Sequence, residues 1–117
     1  MKRSTYLYIC DILDSIERIE KTKIKYSEKE FMSNQDILDA TFRRLELIGE
    51  AIKNIPDSLK SQYAKVHWRG IAGFRDILVH GYFKVDNILV WKIINEDLNV
   101  FKKQIEKIKK DLDNKNK

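Results

Sequence analysis

HWRGIAGFRDILVHGYF, residues 67–83, is the stretch on which the fold turns. Set on a helical wheel at ~100° per residue, Trp68 to Phe83 gathers Arg69, Gly73, Asp76 and His80 into a strip about 60° wide. About three quarters of the circumference is then apolar or aromatic, and a helix of that kind must lie at the centre of a bundle or under a second chain. A second copy of the same chain is the economical cover. The run is therefore expected to be one continuous helix, and the fold an all-α assembly built around it. Three of the four glycines, Gly70, Gly73 and Gly81, fall inside it, so ordinary helix economy is broken here.

Upstream, Leu38, Phe42, Leu45, Ile48, Ile52 and Ile55 recur at steps of three and four, which predicts a helix from near Asn34 to just before Pro56. Gly49 inside it costs roughly 1 kcal/mol against Ala, and a close helix approach at that point would compensate. Asp39, Arg43 and Glu46 on its other face stand at ordinary helical ion-pair spacings. Further back, Tyr6, Ile9, Leu13, Ile16 and Ile19 mark a first amphipathic helix over about residues 4 to 23, with Cys10 beside the apolar stripe as a small buried thiol. Between the two, Lys21 to Ser33 reads as a polar connector with a short turn opened by Ser27. Residues 57–67 suit one short helix. Downstream, Asp86 can cap a helix carrying Ile88, Leu89, Trp91 and Ile94, followed by a run with Leu98, Phe101, Ile105, Ile108 and Leu112. Asn95 marks a break between these two. The sum is one domain over residues 1–117, an up-and-down bundle of four to five helices.

Composition agrees. At 117 residues, 43% apolar and 35% charged, with four Gly and one Pro, the chain fits a soluble helical domain and neither a disordered nor a collagen-like one. Its net charge is +5, and residues 102–117 hold seven Lys against Glu106, Asp111 and Asp113, so this tail carries four of the five excess charges. The single cysteine makes no internal disulfide, in keeping with a reducing, cytoplasmic compartment. The opening MKRSTYLYICDILDS loses its apolar run at Asp11 before reaching signal-peptide length. No uncharged apolar run of some eighteen residues is present to cross a membrane. Two histidines and one cysteine, without close spacing, fall short of a zinc site's usual ligands, and no cofactor is expected.

The residues with chemistry to offer are in the opening stretch. Asp76 and His80 are four apart, so on a helix the carboxylate can bond the imidazole and orient it as a base. On the same wheel Arg75 is about 140° from His80, among apolar neighbours, and needs a carboxylate or a phosphate as partner. A local surface pair and a satisfied core histidine are the plainer readings of these residues. His67, at a helix start with no orienting partner, reads as structural.

Resemblance to a family changes that weighting. Arg75-Asp76-Ile77-Leu78-Val79-His80-Gly81-Tyr82 has the pattern Arg, four residues, His, one residue, Tyr of the HepT-like toxins of the HEPN superfamily. Leu47-Ile48-Gly49-Glu50-Ala51 is similar to the Gly-Glu-Ala signature of that family's preceding helix. His67-Trp68-Arg69-Gly70-Ile71 resembles the entry to its motif helix, and Val85-Asp86 with Val90-Trp91 resembles the stretch just beyond that helix. The resemblance implies an all-α HEPN-like bundle that forms a homodimer through the motif helix, with a composite cleft that cleaves RNA. It implies a type VII toxin-antitoxin toxin in which His80 moves the proton, Arg75 holds the phosphate and Asp76 orients His80, with no metal. Tyr82 takes the place of the tyrosine that a minimal nucleotidyltransferase antitoxin adenylylates to silence such toxins. On the wheel it lies within about 30° of Arg75, so added nucleotides would place charge and bulk at the cleft. Two other classes stand beside this one. One is a non-catalytic HEPN-fold module that binds nucleotide or protein; the other is a nucleic-acid binder using Lys102, Lys103, Lys107, Lys109 and Lys110 of the basic tail.

Overall fold

The structure, a computed structural model, describes residues 3–115 except 75, 77–78 and 81–83, with residues 79–80 and 84–85 described by their backbone. Helix α1 (Thr5–Lys25) starts at Ser4, whose hydroxyl accepts from the Leu7 N–H at 3.3 Å. Helix α2 (Glu28–Ser33) is the expected turn opened by Ser27. The Ser27 hydroxyl accepts from the Glu30 N–H, and the Glu30 carboxylate accepts from the Ser27 N–H. The bond from the Ser27 backbone N–H, and after it the Ser27 side chain, hold the Glu30 carboxyl below its usual range. Helix α3 (Gln35–Lys53) is capped by Asn34 and stops before Pro56, which cannot continue it. Short helices α4 (Asp57–Gln62) and α5 (Trp68–Ala72) come next.

The helical wheel through Phe83 does not survive. Helix α5 ends at Ala72, and Gly73 closes it by donating its N–H to the Arg69 carbonyl at 2.9 Å. Phe74 and Asp76 are helical again. Val79–His80 (β1) is extended and pairs antiparallel with Lys84–Val85 (β2), His80 opposite Lys84. Two physical reasons can be read from the residues. Gly70 and Gly73 weaken the helix, and β-branched and aromatic residues on either side of Gly81 suit a short ribbon.

After β2 the chain forms α6 (Asn87–Lys92), a wider π-type turn over Ile93–Asp97, and α7 (Leu98–Lys115). Asp86 caps α6 as expected, accepting from the Leu89 N–H at 3.0 Å. Asn95 does not break the helix; it lies inside the widened turn. The carbonyls there find partners: Lys23 Nζ reaches the Ile94 oxygen at 3.2 Å, and the Asn99 amide reaches the Asn95 oxygen at 2.6 Å.

The core is the all-α bundle of α1, α3 and α7, which share Ile9, Ile12, Ile16, Ile19, Leu45, Ile48, Ile52, Phe101, Ile105 and Ile108, all buried. Helices α1 and α7 run antiparallel: Lys109 lies over the Tyr6 ring at one end, and Lys102 pairs with Glu20 at 2.8 Å at the other. Grooves that pair Tyr8 and Asp11 with Asn54, and Lys25 with Ile37, show α1 and α3 antiparallel too. Cys10 is half-buried beside this core. No described helix is long and apolar enough to cross a membrane.

Candidate active site and its supports

The segment that carries the predicted chemistry is anchored at both ends. At its entry, Trp68, Ile71 and Phe74 are buried. The Trp68 indole stands edge-on to Phe101 at 6.2 Å, and its N–H donates to the Tyr63 carbonyl at 3.2 Å. Helix α5 comes so close to α3 that a Cβ built on Gly49 would lie 3.2 Å from the Ala72 oxygen. This is the helix approach that Gly49 predicted, and it places the glycine for a packing reason. At the exit, the Asn87 amide donates to the Met32 carbonyl at 3.1 Å and Trp91 packs on Phe31 at 5.0 Å. Strand β2 also rests on α3. Helix α3 is thus the platform for both arms of the segment.

Of the four predicted site residues, Arg75 and Tyr82 lie outside the described residues. His80 is described by its backbone, in β1 opposite Lys84. Asp76 is exposed and helical, its N–H donating to the Gly73 oxygen at 3.0 Å. Its carboxylate makes no hydrogen bond or ion pair with the described residues. Because His80 is extended, neither the i,i+4 reach from Asp76 nor the wheel separation of Arg75 from His80 applies. His67 precedes α5, exposed, with its ring over Gly70. Among the described residues no cluster of three or more His, Cys, Asp or Glu could hold a metal ion.

One feature is invisible to whole-chain composition. Between Asp57 and Asp76 the chain holds Lys60, Lys65, Arg69 and Arg75 and no carboxylate. The net charge averages this run against acidic stretches elsewhere; a window count would show it. Folding lines a groove of about 600 Å³ with part of the run, Lys60 and Arg69, together with Lys53, Asp57, Ile52, Ala72 and Trp68. Arg69 and Ala72 belong to the short helix that leads directly into Arg75.

Known proteins share this sequence pattern along most of its length. The family described as "Ribonuclease HepT-like" matches residues 12–108. The chain is 40% identical over 110 residues to the "Probable ribonuclease HepT" of Thermococcus cleftensis, covering 94% of this chain and all of that one. It is 42% identical over 107 residues to a "Putative RNase" of Methanocaldococcus jannaschii, covering 90% and 96%. A second protein of that organism, named "Gamma-glutamylcyclotransferase and putative RNase", is 40% identical over 117 residues, which are 99% of this chain and 53% of that protein. This chain therefore spans about half the length of that relative. No solved structure matches. The chain belongs to the HepT-like ribonuclease family.

Proposed function

We propose that this protein is a metal-independent endoribonuclease, the toxin of a type VII toxin-antitoxin pair. In this reading it works in the cytoplasm as a homodimer and is silenced by a cognate minimal nucleotidyltransferase antitoxin. The observation that carries the reading is Arg75-x4-His80-x-Tyr82, standing intact between two anchored arms in a chain of this family.

His80 takes the proton of a ribose 2′-hydroxyl, and the freed oxygen attacks the adjacent phosphorus. Arg75 holds the non-bridging oxygens and stabilises the charge they gain. The 5′-oxygen leaves with the proton that His80 has taken up, and the product ends in a 2′,3′-cyclic phosphate. Asp76, which the family resemblance assigns to orienting His80, must do so across the segment into β1 and not along a helix. Tyr82 is the acceptor for silencing: its hydroxyl oxygen attacks the α-phosphorus of ATP, and pyrophosphate leaves.

The test is cleavage of an oligoribonucleotide in EDTA. Wild-type protein is expected to yield cyclic-phosphate ends, with His80→Ala and Arg75→Ala each lowering kcat/KM by about 10²–10⁴. Activity abolished by chelation and restored by Mg²⁺ overturns the mechanism, and a wild-type chain that cleaves nothing supports the non-catalytic module instead. Mixing the Arg75→Ala and His80→Ala chains tells whether the two groups come from one chain or two, recovery of activity meaning two. Mass spectrometry after incubation with ATP and the transferase checks Tyr82; an unmodified tyrosine removes the regulatory part.

A further inference from the structure

We propose that the groove between the end of α3, α4 and α5 is a binding track for the sugar-phosphate backbone of single-stranded RNA next to the bond that is cut. This rests on the ribonuclease reading and extends it to a surface outside the Arg75, His80 and Tyr82 motif. Three observations carry it. First, the groove's charge suits a polyanion: Lys53, Lys60 and Arg69 line it against Asp57 as the single lining carboxylate. Lys60 and Arg69 make no ion pair with the described residues, while Lys53 pairs with Glu50 at 3.5 Å.

Second, three lysines of the basic tail that composition singled out already have carboxylate partners. Lys102 pairs with Glu20 at 2.8 Å, Lys107 with Asp111 at 3.3 Å and Lys109 with Asp113 at 3.7 Å. The groove between α1 and α7 sets Asp14, Glu17, Glu106 and Asp113 around Lys109 and Lys110, which would repel a phosphate chain. Third, the α3–α5 groove lies close to the motif in sequence: Arg69 and Ala72 line it, and only Gly73 and Phe74 separate Ala72 from Arg75. Its volume of about 600 Å³ lies within the roughly 300–1,000 Å³ of ligand-sized clefts. The apolar floor of Ile52 and Ala72 offers a surface for a sugar or a base edge while the cations take the phosphates.

The experiment measures binding of a fluorescein-labelled single-stranded oligouridylate to the His80→Ala chain, which leaves the probe uncut, as a function of salt. Adding Lys60→Glu and Arg69→Glu is expected to weaken binding more than about tenfold at low salt. The slope of log K against log salt should flatten by about 1.4, at ~0.7 for each phosphate that is no longer neutralised. The same charge change on the tail, Lys103→Glu with Lys110→Glu, both exposed, should leave affinity within about twofold. Lys60→Ala with Arg69→Ala repeats the test without new charge should the reversal unfold the protein. Equal losses from groove and tail pairs, no loss from the groove pair, or no binding of the probe to the His80→Ala chain overturns the proposal. Cleavage by the wild-type chain is read alongside. Groove-dependent binding without cleavage sinks the ribonuclease reading and keeps the track; cleavage with KM unchanged in the groove variant does the reverse.

Discussion

At the scale of single residues, Gly49 shows how a costly choice in one helix is explained by another. A glycine in the middle of α3 sacrifices about 1 kcal/mol of helix propensity, and the return is the close seat of α5, whose Ala72 oxygen fills the space a side chain would take. Gly49→Val is expected to lower the unfolding free energy by about 1–3 kcal/mol, as overpacking does, measured by urea denaturation. Because α5 leads into Arg75, the same variant should lose cleavage activity at temperatures where it remains folded. Periodicity makes the glycine's oddity visible and the structure identifies its neighbour. His80 is the opposite case. Its residue type and its spacing from Arg75 and Tyr82 carry the proposed chemistry, but its backbone conformation cannot be taken from an apolar run that suits either period.

At the scale of elements, the ends of helices are the most legible features. Ser27, Asn34 and Asp86 are each a side chain that satisfies an open N–H at the start of a helix, and that local chemistry needs no tertiary partner. The widened turn over Ile93–Asp97 is less legible, since in sequence alone Asn95 has the look of a break. A turn closed between residues five apart holds one residue more than an α-turn, so it shifts the phase of α7 against α6 without interrupting the helix. Removing one residue there should convert it to α-helix and keep both apolar faces seated. Deletion of Glu96, which is exposed, is therefore expected to give a folded protein with a modestly lower Tm. Deletion of Lys103 would turn Ile105, Ile108 and Leu112 by about 100° from the core and should abolish cooperative melting in circular dichroism. Equal melting of the two deletions would show that the wide turn absorbs no phase.

At the scale of the whole molecule, Tyr63 joins the segment leading to α5 to the far end of α7. Its hydroxyl donates to Asp111 at 2.7 Å, while its carbonyl receives the Trp68 indole N–H. Burial first, then the bond to Asp111, pushes the Tyr63 phenol up from 10.0 to about 12. The same bond leads the causes that hold the Asp111 carboxyl below its usual range. The unfolded chain ionises this tyrosine near pH 10 and the folded chain does so two decades higher, so the stability it contributes is complete below about pH 10. That contribution declines as pH rises toward 12. Tyr63→Phe is expected to cost about 1 kcal/mol at neutral pH and to remove part of the alkaline decline, read as a smaller loss of urea midpoint between pH 9 and pH 11 than the wild type shows. An identical alkaline decline in both proteins would place the titration on other groups.

What the amino-acid order determined on its own was everything governed by short-range periodicity and residue chemistry. It placed the three long helices, the caps, the stop before Pro56 and the Arg75, His80 and Tyr82 string on which the proposed function rests. Tertiary structure alone decided which cations remain without carboxylate partners and where the run from Trp68 leaves the helix. Ion pairing across α1 and α7 depends on residues far apart in sequence, such as Lys102 with Glu20, 82 positions away. β-branched residues beside a glycine suit a short ribbon as well as a helix, and it is the pairing of Val79–His80 with Lys84–Val85 that decides the form.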